Sequence, residues 1–145
     1  VVVLAGDGSF QMNIQELATA ALYGINVKIF ILNNQYLGMV RQWQEMFYGK
    51  RYSHTCLSKS KSCPEICNTP NKNCPVYVPD FIKLAEAYGA RAVRITDSKD
   101  VEKEIKNALA FNGLYLVEFM VDREENVLPM VPAGANLDEV ITRLA

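Results

Sequence analysis

Apolar residues in this chain come either in short unbroken runs or at positions recurring every three or four residues, and the two patterns alternate. The runs cover residues 1–5, 27–32, 90–95 and 114–121. Their length and continuity predict strands buried on both faces, 1–5 among them. Residues 9–23 place Phe10, Ile14, Leu17 and Ala21 on one helical face, with Gly24 as the stop. A second helix is predicted over 37–47. In a third, Asp80 is the N-cap, Phe81, Leu84, Ala85 and Tyr88 form the apolar face, and Gly89 closes it. A fourth, over 98–111, turns Val101, Ile105, Ala108 and Leu109 inward and carries a Glu102–Lys106 pair outside. A Pro- and Gly-rich loop and a short helix near 137–144 end the chain. Continuous apolar strands alternating with amphipathic helices predict an α/β fold, a three-layer parallel sheet with helices on both faces. The exception is 49–79, which holds four Cys and four Pro with little periodicity. A loop that long in a compact domain is functional or an insertion.

Composition narrows the class. A chain of 145 residues, half of them hydrophobic, builds one domain with a proper core. Its net charge of −1 gives no electrostatic basis for nucleic acid or an anionic membrane as partner. No apolar run approaches the roughly 20 residues of a membrane span, and residues 1–5 lack the basic lead-in of a secretory signal. A cytoplasmic location is therefore expected. Opening directly on a buried-looking strand is read as a piece of a longer chain.

In parallel α/β folds ligands bind beyond the carboxyl ends of the strands. Gly6-Asp7-Gly8 follows the first predicted strand and Asn33-Asn34 ends the second. Asp7 and Asn34 each offer a hard oxygen of the kind Mg²⁺ takes. Gly8 lets backbone approach a phosphate, and a helix starting near Ser9 aims free N–H groups at it. A metal-bridged diphosphate site is one reading of this arrangement. Ordinary turn chemistry is the other, since GDG and NN also mark plain turns after strands. Neither GxxxxGK[ST] nor GxGxxG is present.

The spacing Gly6-Asp7-Gly8, 24 residues, Asn33-Asn34 resembles the signature of thiamine-diphosphate-dependent enzymes. MNIQELAT (12–19), NNQYLGMVRQWQEMFY (33–48) and ENVLPMVPAG (125–134) narrow the resemblance to the C-terminal thiamine-diphosphate-binding domain of the acetolactate synthase large subunit. It covers 1–55 and 79 to the C-terminus and lapses over 56–78, which is read as a Cys-rich insertion. The resemblance implies that Asp7 and the Asn34 side chain bind Mg²⁺, with the backbone carbonyl of Tyr36 as third ligand. It implies that Gly6, Gly8 and Ser9 line the diphosphate, and that Gly38 and Met39 lie along the cofactor. Val40 and Trp43 would form the substrate pocket. For Met39, Val40 and Trp43, packing on a helix is the alternative reading.

The implied activity is condensation of pyruvate with a second 2-oxoacid such as 2-oxobutyrate, a step of branched-chain amino acid biosynthesis. The carbon chemistry belongs to the cofactor. The catalytic glutamate of such enzymes is expected on a missing N-terminal domain of a neighbouring subunit, and no motif nominates Glu16, Glu45, Glu86 or Glu118 in its place. The chain alone is thus expected to be inactive. Full-length chains would form a homo-oligomer, dimer or tetramer, with a regulatory small subunit as a further partner and FAD on a domain absent here. Other thiamine-diphosphate enzymes (a pyruvate oxidase, a 2-oxoacid:ferredoxin oxidoreductase subunit) and a non-catalytic module of the same fold are the alternatives.

Cys56, Cys63, Cys67 and Cys74 are spaced C-x6-C-x3-C-x6-C. Four thiols in one irregular stretch suit Zn²⁺ or an iron–sulfur cluster, although the spacing is wider than C-x2-C knuckles. A solvated insertion is the competing reading. His54, the one histidine, is a ligand or a solvated loop residue and is read as the second, and with no histidine elsewhere no conventional Ser–His or Cys–His catalysis is expected.

Overall fold

The computed structural model describes residues 1–58, 61, 63–64, 67, 74–75 and 79–143. Most of the expected insertion, and the end of the helix expected near 137–144, lie outside the described residues. The elements run β1 (Val2–Gly6), α1 (Asp7–Gln11), α2 (Glu16–Leu22), β2 (Lys28–Asn33), α3 (Gly38–Tyr48), α4 (Phe81–Ala87), β3 (Arg91–Ile95), α5 (Val101–Ala110) and β4 (Tyr115–Met120). The four strands form one sheet in the order β1-β2-β4-β3, and every pair is parallel. This is the expected α/β architecture.

Alternation along the strands divides the core between two faces. Ile29 and Ile31 of β2 and Leu116 of β4 pack with Phe10, Leu17, Phe81 and Ala85 from α1, α2 and α4. Phe30, Tyr115, Val117 and Phe119 point the other way and pack with Ala108 of α5. The central strands β2 and β4 are buried almost throughout. The edge strand β1 is not: Val1, Val2, Val3 and Leu4 are exposed, which corrects the expectation that this run is buried on both faces. Its composition matches that of the central strands, but it pairs only with β2.

Three further expectations are corrected. The helix over 9–23 is two helices, because residues 12–18 make i→i+3 bonds, among them Met12 N to Ser9 O at 3.2 Å and Leu17 N to Ile14 O at 3.1 Å. The tighter turn rotates the following face, so Ala20 rather than Ala21 is buried. On α5, Leu109 is exposed, since Val101, Ile105 and Ala108 already fill the contact with the sheet. Among the described residues, 137–143 form no helix; Met130 and Ile141 pair as an isolated bridge, and Glu139 Oε2 caps Asn136 N at 2.7 Å. Other local expectations hold. Asp80 caps α4 by accepting from Ile82 N at 3.1 Å, and Glu102 pairs with Lys106 at 2.6 Å.

α3 is fastened to the loop after β4 by two side chains that face inward. Arg41 is fully buried. Its Nη1 donates to Glu45 Oε2 at 2.8 Å, and its Nη2 to the carbonyls of Glu124 and Glu125 at 3.2 and 3.1 Å and to Asn126 Oδ1. Gln42 bonds Val127 twice, accepting from its N–H at 2.8 Å and donating to its carbonyl at 3.0 Å. Burial alone would raise the Glu45 carboxyl, but hydrogen bonds from Asn126, Arg41 and Lys50 outweigh it and hold the group at about 2. A depressed carboxylate contributes stability above its unfolded value of 4.5, and that stability is lost as pH falls through about 2.

Glu45→Ala leaves the Arg41 charge buried without its carboxylate and is expected to destabilise the full-length protein by about 3 kcal/mol or more. Lys106→Ala, at an exposed pair, should cost no more than about 0.5 kcal/mol. Denaturant titrations of both variants at neutral pH check the contrast. Equal losses would contradict the clamp.

Candidate active site

Gly6 pairs with Leu32, and Asn33 with Met120, so β1, β2 and β4 end at nearly the same level. Asp7 and Asn34 therefore meet at one edge of the sheet, with the segment after β4 beside them. They line a hollow of about 480 Å³ together with Gly6, Gly8, Ser9, Tyr36 and Gly38. Leu32, Leu37, Val121, Asp122, Glu125 and Val127 complete it. A larger hollow of about 920 Å³, lined by Leu4, Phe30, Val101, Ile105 and Phe119, lies over the α5 face. Thr96, Asp97 and Ser98 also line it, but the smaller one lies beyond the carboxyl ends of two neighbouring parallel strands, where Asp7 and Asn34 meet, and we take it as the site.

The 33–37 turn is held from several sides. Gln35 has φ 63°, a left-handed conformation that costs a side-chain-bearing residue on the order of 1 kcal/mol. Asn33 Oδ1 accepts from Gln35 N and Asn34 Oδ1 from Tyr36 N, both at 3.0 Å. Residues 55–57 secure the outer side, where Leu37 N bonds Thr55 O and Leu57 N bonds Gln35 O, each at 2.9 Å. Beneath the turn, Asn33 Nδ2 donates to Glu118 Oε1 at 2.6 Å, and Glu118 Oε2 accepts from Arg94 Nε at 2.7 Å. Arg94 reaches on to Asp80, the cap of α4, at 2.9 Å.

Two glycines have roles in packing. A Cβ on Gly38 would stand 2.8 Å from Asn34 Nδ2, so this glycine makes room for the asparagine side chain. A Cβ on Gly8 would meet Leu37 Cδ2 at 2.9 Å and Leu57 Cδ1 at 3.3 Å. The space beside Gly8 is thus filled by leucines of the facing loop, and its small size serves that close approach. Gly6 has open space at the same position.

Asp7 is 2 % exposed. Burial raises its carboxyl to about 6, against backbone N–H bonds from Gly8 and Gln35 that pull it down, with the Glu118 charge adding to the rise. Its Oδ2 is buried with no hydrogen-bond partner. A carboxylate oxygen in that position is strained unless something positive meets it. Asn34 and Tyr36 line the same hollow, and the Asn34 side-chain oxygen, which also accepts from Tyr36 N, and the Tyr36 carbonyl are hard oxygens as well. That set fits a small divalent cation that keeps waters and phosphate oxygens as its other ligands. Among the lining residues none is Lys or Arg.

Met39, Val40 and Trp43 do not line the hollow. They lie on the exposed face of α3, with Trp43 43 % exposed. Arg41 and Gln42 take the inward face, which forces their neighbours outward. Asp122, Glu125 and Val127 are lining residues that motif reasoning did not nominate. The signal for them is positional: β4 neighbours β2, and its carboxyl end meets the same edge. The four cysteines and His54 line a separate small hollow. Among the described residues no group of three or more His, Cys, Asp and Glu is arranged to hold a metal ion. Nor is any described helix long and apolar enough to cross a membrane.

Comparison with known proteins agrees with this geometry. The chain is 39% identical over 141 residues to the "Acetolactate synthase large subunit" of Cyanidium caldarium, covering 97% of this chain and 21% of that protein. It is 42% identical over 142 residues to "Acetolactate synthase 2, chloroplastic" of Nicotiana tabacum, covering 98% and 20%. The chain therefore spans about a fifth of the length of the curated relatives it matches. A solved thiamine diphosphate-dependent 4-hydroxybenzoylformate decarboxylase from Rhodococcus jostii superposes with a TM-score of 0.63 at 29% identity, over 87% of this chain and 20% of that one. The profile described as "Thiamine pyrophosphate enzyme, C-terminal TPP binding domain" matches residues 1–119, and the chain belongs to that family.

Proposed function

We propose that this chain supplies the diphosphate- and Mg²⁺-binding half of the active site in an enzyme that condenses pyruvate with a second 2-oxoacid, pyruvate itself or 2-oxobutyrate, as an acetolactate synthase of branched-chain amino acid biosynthesis does. The observation that carries this reading is the buried, unpartnered Oδ2 of Asp7 beside Asn34 at the shared edge of two parallel strands. The acetolactate synthases among the relatives support the reaction class.

Asp7 and Asn34 would hold the cation through side-chain oxygens and Tyr36 through its backbone carbonyl. With no Lys or Arg in the lining, the charge of a diphosphate is balanced by that cation and by backbone N–H groups where α1 begins. Thiamine diphosphate, when bound, supplies the nucleophilic carbon and the electron sink for decarboxylation. The chain's own work is to fix the diphosphate end so that the reactive ring is presented at one place. The strap 124–127, tied to α3 by Arg41 and Gln42, keeps that side of the hollow in position.

Met39, Val40, Trp43 and Phe47 form an exposed apolar stripe on α3. This stripe supports a pocket completed by another surface, in a homo-oligomer of full-length chains, against which Val40 and Trp43 would meet substrate. The activating glutamate is then supplied from outside this chain, and the isolated chain makes no product. Turnover by the purified chain, given thiamine diphosphate and Mg²⁺, would contradict that.

The electrostatics of Asp7 yield two outcomes. Its folded pKa of about 6 lies above the unfolded 3.8, so the stabilisation belongs to the protonated form. It is complete below the unfolded value and lost as pH rises through about 6, leaving an ionised, buried carboxylate in the ligand-free protein at neutral pH. Asp7→Asn is therefore expected to stabilise the ligand-free full-length protein at pH 7 by on the order of 2 kcal/mol. The same substitution should abolish the rise in melting temperature that wild type shows only with Mg²⁺ and thiamine diphosphate together. Melting curves of both proteins, with each ligand alone and with both, test the pair. A variant that kept the joint rise would remove Asp7 from the metal site.

Mg²⁺ requires the carboxylate form, so wild-type Mg²⁺ affinity should fall as pH drops below about 6. Calorimetric titration with Mg²⁺ from pH 5 to 8, at fixed thiamine diphosphate, checks this. A flat profile would contradict Asp7 as ligand.

A further inference from the structure

Four thiols stand beside the diphosphate site without a part in it. Cys56, Cys63, Cys67 and Cys74 line one cavity of about 20 Å³, with Tyr36, Tyr52 and His54 among the other walls. That is space for about one water molecule. Each cysteine is partly exposed, and none is in a disulfide. The described residues offer no metal-holding group of His, Cys, Asp and Glu, so the zinc or iron–sulfur expectation finds no support in their arrangement. What the thiols share is the wall of that one small cavity.

Two of them share a cation. Arg123 Nη2 donates to Cys56 Sγ at 3.7 Å and to Ser58 Oγ at 3.1 Å. The same guanidinium interacts electrostatically with Cys74, which lines the cavity beside Cys56. It also lies 5.2 Å from the centre of the Tyr36 ring. Tyr36 is the wall between the two hollows, since it lines the thiol cavity and the diphosphate hollow alike. Its backbone pairs with Cys56 in an antiparallel bridge. Arg123 belongs to the segment that puts Asp122 and Glu125 into the diphosphate hollow. A change at the sulfurs is thus transmitted through one arginine to two walls of that site.

We propose that Cys56 and Cys74 are a reversible thiol pair whose oxidation by a low-molecular-weight disulfide weakens metal–diphosphate binding in the adjoining hollow. The weakening rests on the reading of that hollow given above; the thiol pair does not. The Cys56 thiolate attacks one sulfur of the oxidant, breaking its S–S bond and releasing one thiolate. The Cys74 thiolate then attacks the Cys56 sulfur, breaking the mixed disulfide and releasing the second thiolate. Two protein sulfurs are oxidised and two oxidant sulfurs reduced, and the two thiol protons end on the released thiols. In the disulfide the Cys56 sulfur carries no thiolate charge and is only a weak acceptor for Arg123, which loosens the guanidinium from Cys56 and, with it, Tyr36 and the segment after β4.

The test uses the full-length protein equilibrated with oxidised or reduced glutathione, digested without reduction and mapped by mass. In parallel, thiamine diphosphate affinity is measured at fixed Mg²⁺. A Cys56–Cys74 cross-link, two hydrogens lighter than the dithiol and reversed by dithiothreitol, is expected. Affinity of the oxidised protein should be weaker by about fivefold or more. Cys74→Ser and Cys74→Ala should keep the affinity of reduced wild type and lose the response to oxidant. Glutathione adducts alone, a cross-link to Cys63 or Cys67 instead, or stoichiometric zinc shielding the thiols would overturn the pair. A cross-link with unchanged affinity would overturn the coupling. A cross-link in a protein that binds no thiamine diphosphate even when reduced would sustain the pair and overturn both the coupling and the diphosphate reading.

Discussion

The side-chain amide of Asn33 is the joint on which the site depends. It sits at the last position of β2, 1 % exposed, and both ends of the amide are used. Its N–H reaches the Glu118 carboxylate on β4, which is held in turn by Arg94 on β3, while its oxygen takes the N–H of Gln35. One side chain thus connects three strands to Gln35, the turn residue between Asn34 and Tyr36. An apolar replacement would leave a buried carboxylate oxygen and a turn N–H unmet, at about 1–3 kcal/mol each. Gln35 would then be free to leave its left-handed conformation, and the oxygens beyond it would lose their common aim.

Two carboxylates, Asp7 and the half-buried Glu45, show how this chain separates support from chemistry. Glu45 receives donors from Arg41, Asn126 and Lys50 and is held at about 2, so it stays charged and satisfied. Asp7 is buried more deeply, has an oxygen with no partner and is raised to about 6. The first locks α3 to the strap that frames the hollow. The second is an unmet demand for positive charge, placed where a cation and a diphosphate can meet it. The stability forgone at Asp7 is the ordinary cost of a prepared binding group, and the network around Glu45, Arg41 and Glu118 supplies the rigidity that keeps it in place.

Much of the fold was legible because its signals are local. Asp80 before an apolar face caps α4, Gly24 and Gly89 take positive φ beyond their helices, and Glu102 meets Lys106 one turn on. These depend on neighbours within about four residues, whereas the adjacency of Asp7 and Asn34 follows from the rule that parallel strands present their carboxyl ends at one edge. The misreadings share one cause, which is that periodicity reports what a segment can bury and never what covers it. Residues 1–5 are as apolar as β2 yet lie at an edge, and Leu109 has the right spacing yet falls beside a contact already filled. On α3 the partners of Arg41 and Gln42, polar in composition, hold them inward and leave Met39, Val40 and Trp43 exposed, a facing that bears on what completes their pocket and does not rule it out.

The sequence by itself determined the alternation of strands and helices, the parallel sheet, and the pairing of a carboxylate with an amide at two strand ends, since each follows from local pattern and a general rule of connection. Tertiary structure alone decided which of two similar apolar runs is covered, and that Arg41 rather than Trp43 faces the interior. It alone brought Asp122 and Glu125 to the hollow and set Arg123 between two cysteines and Tyr36. Those contacts join residues tens of positions apart, and their geometry depends on the whole sheet being assembled before any of them exists.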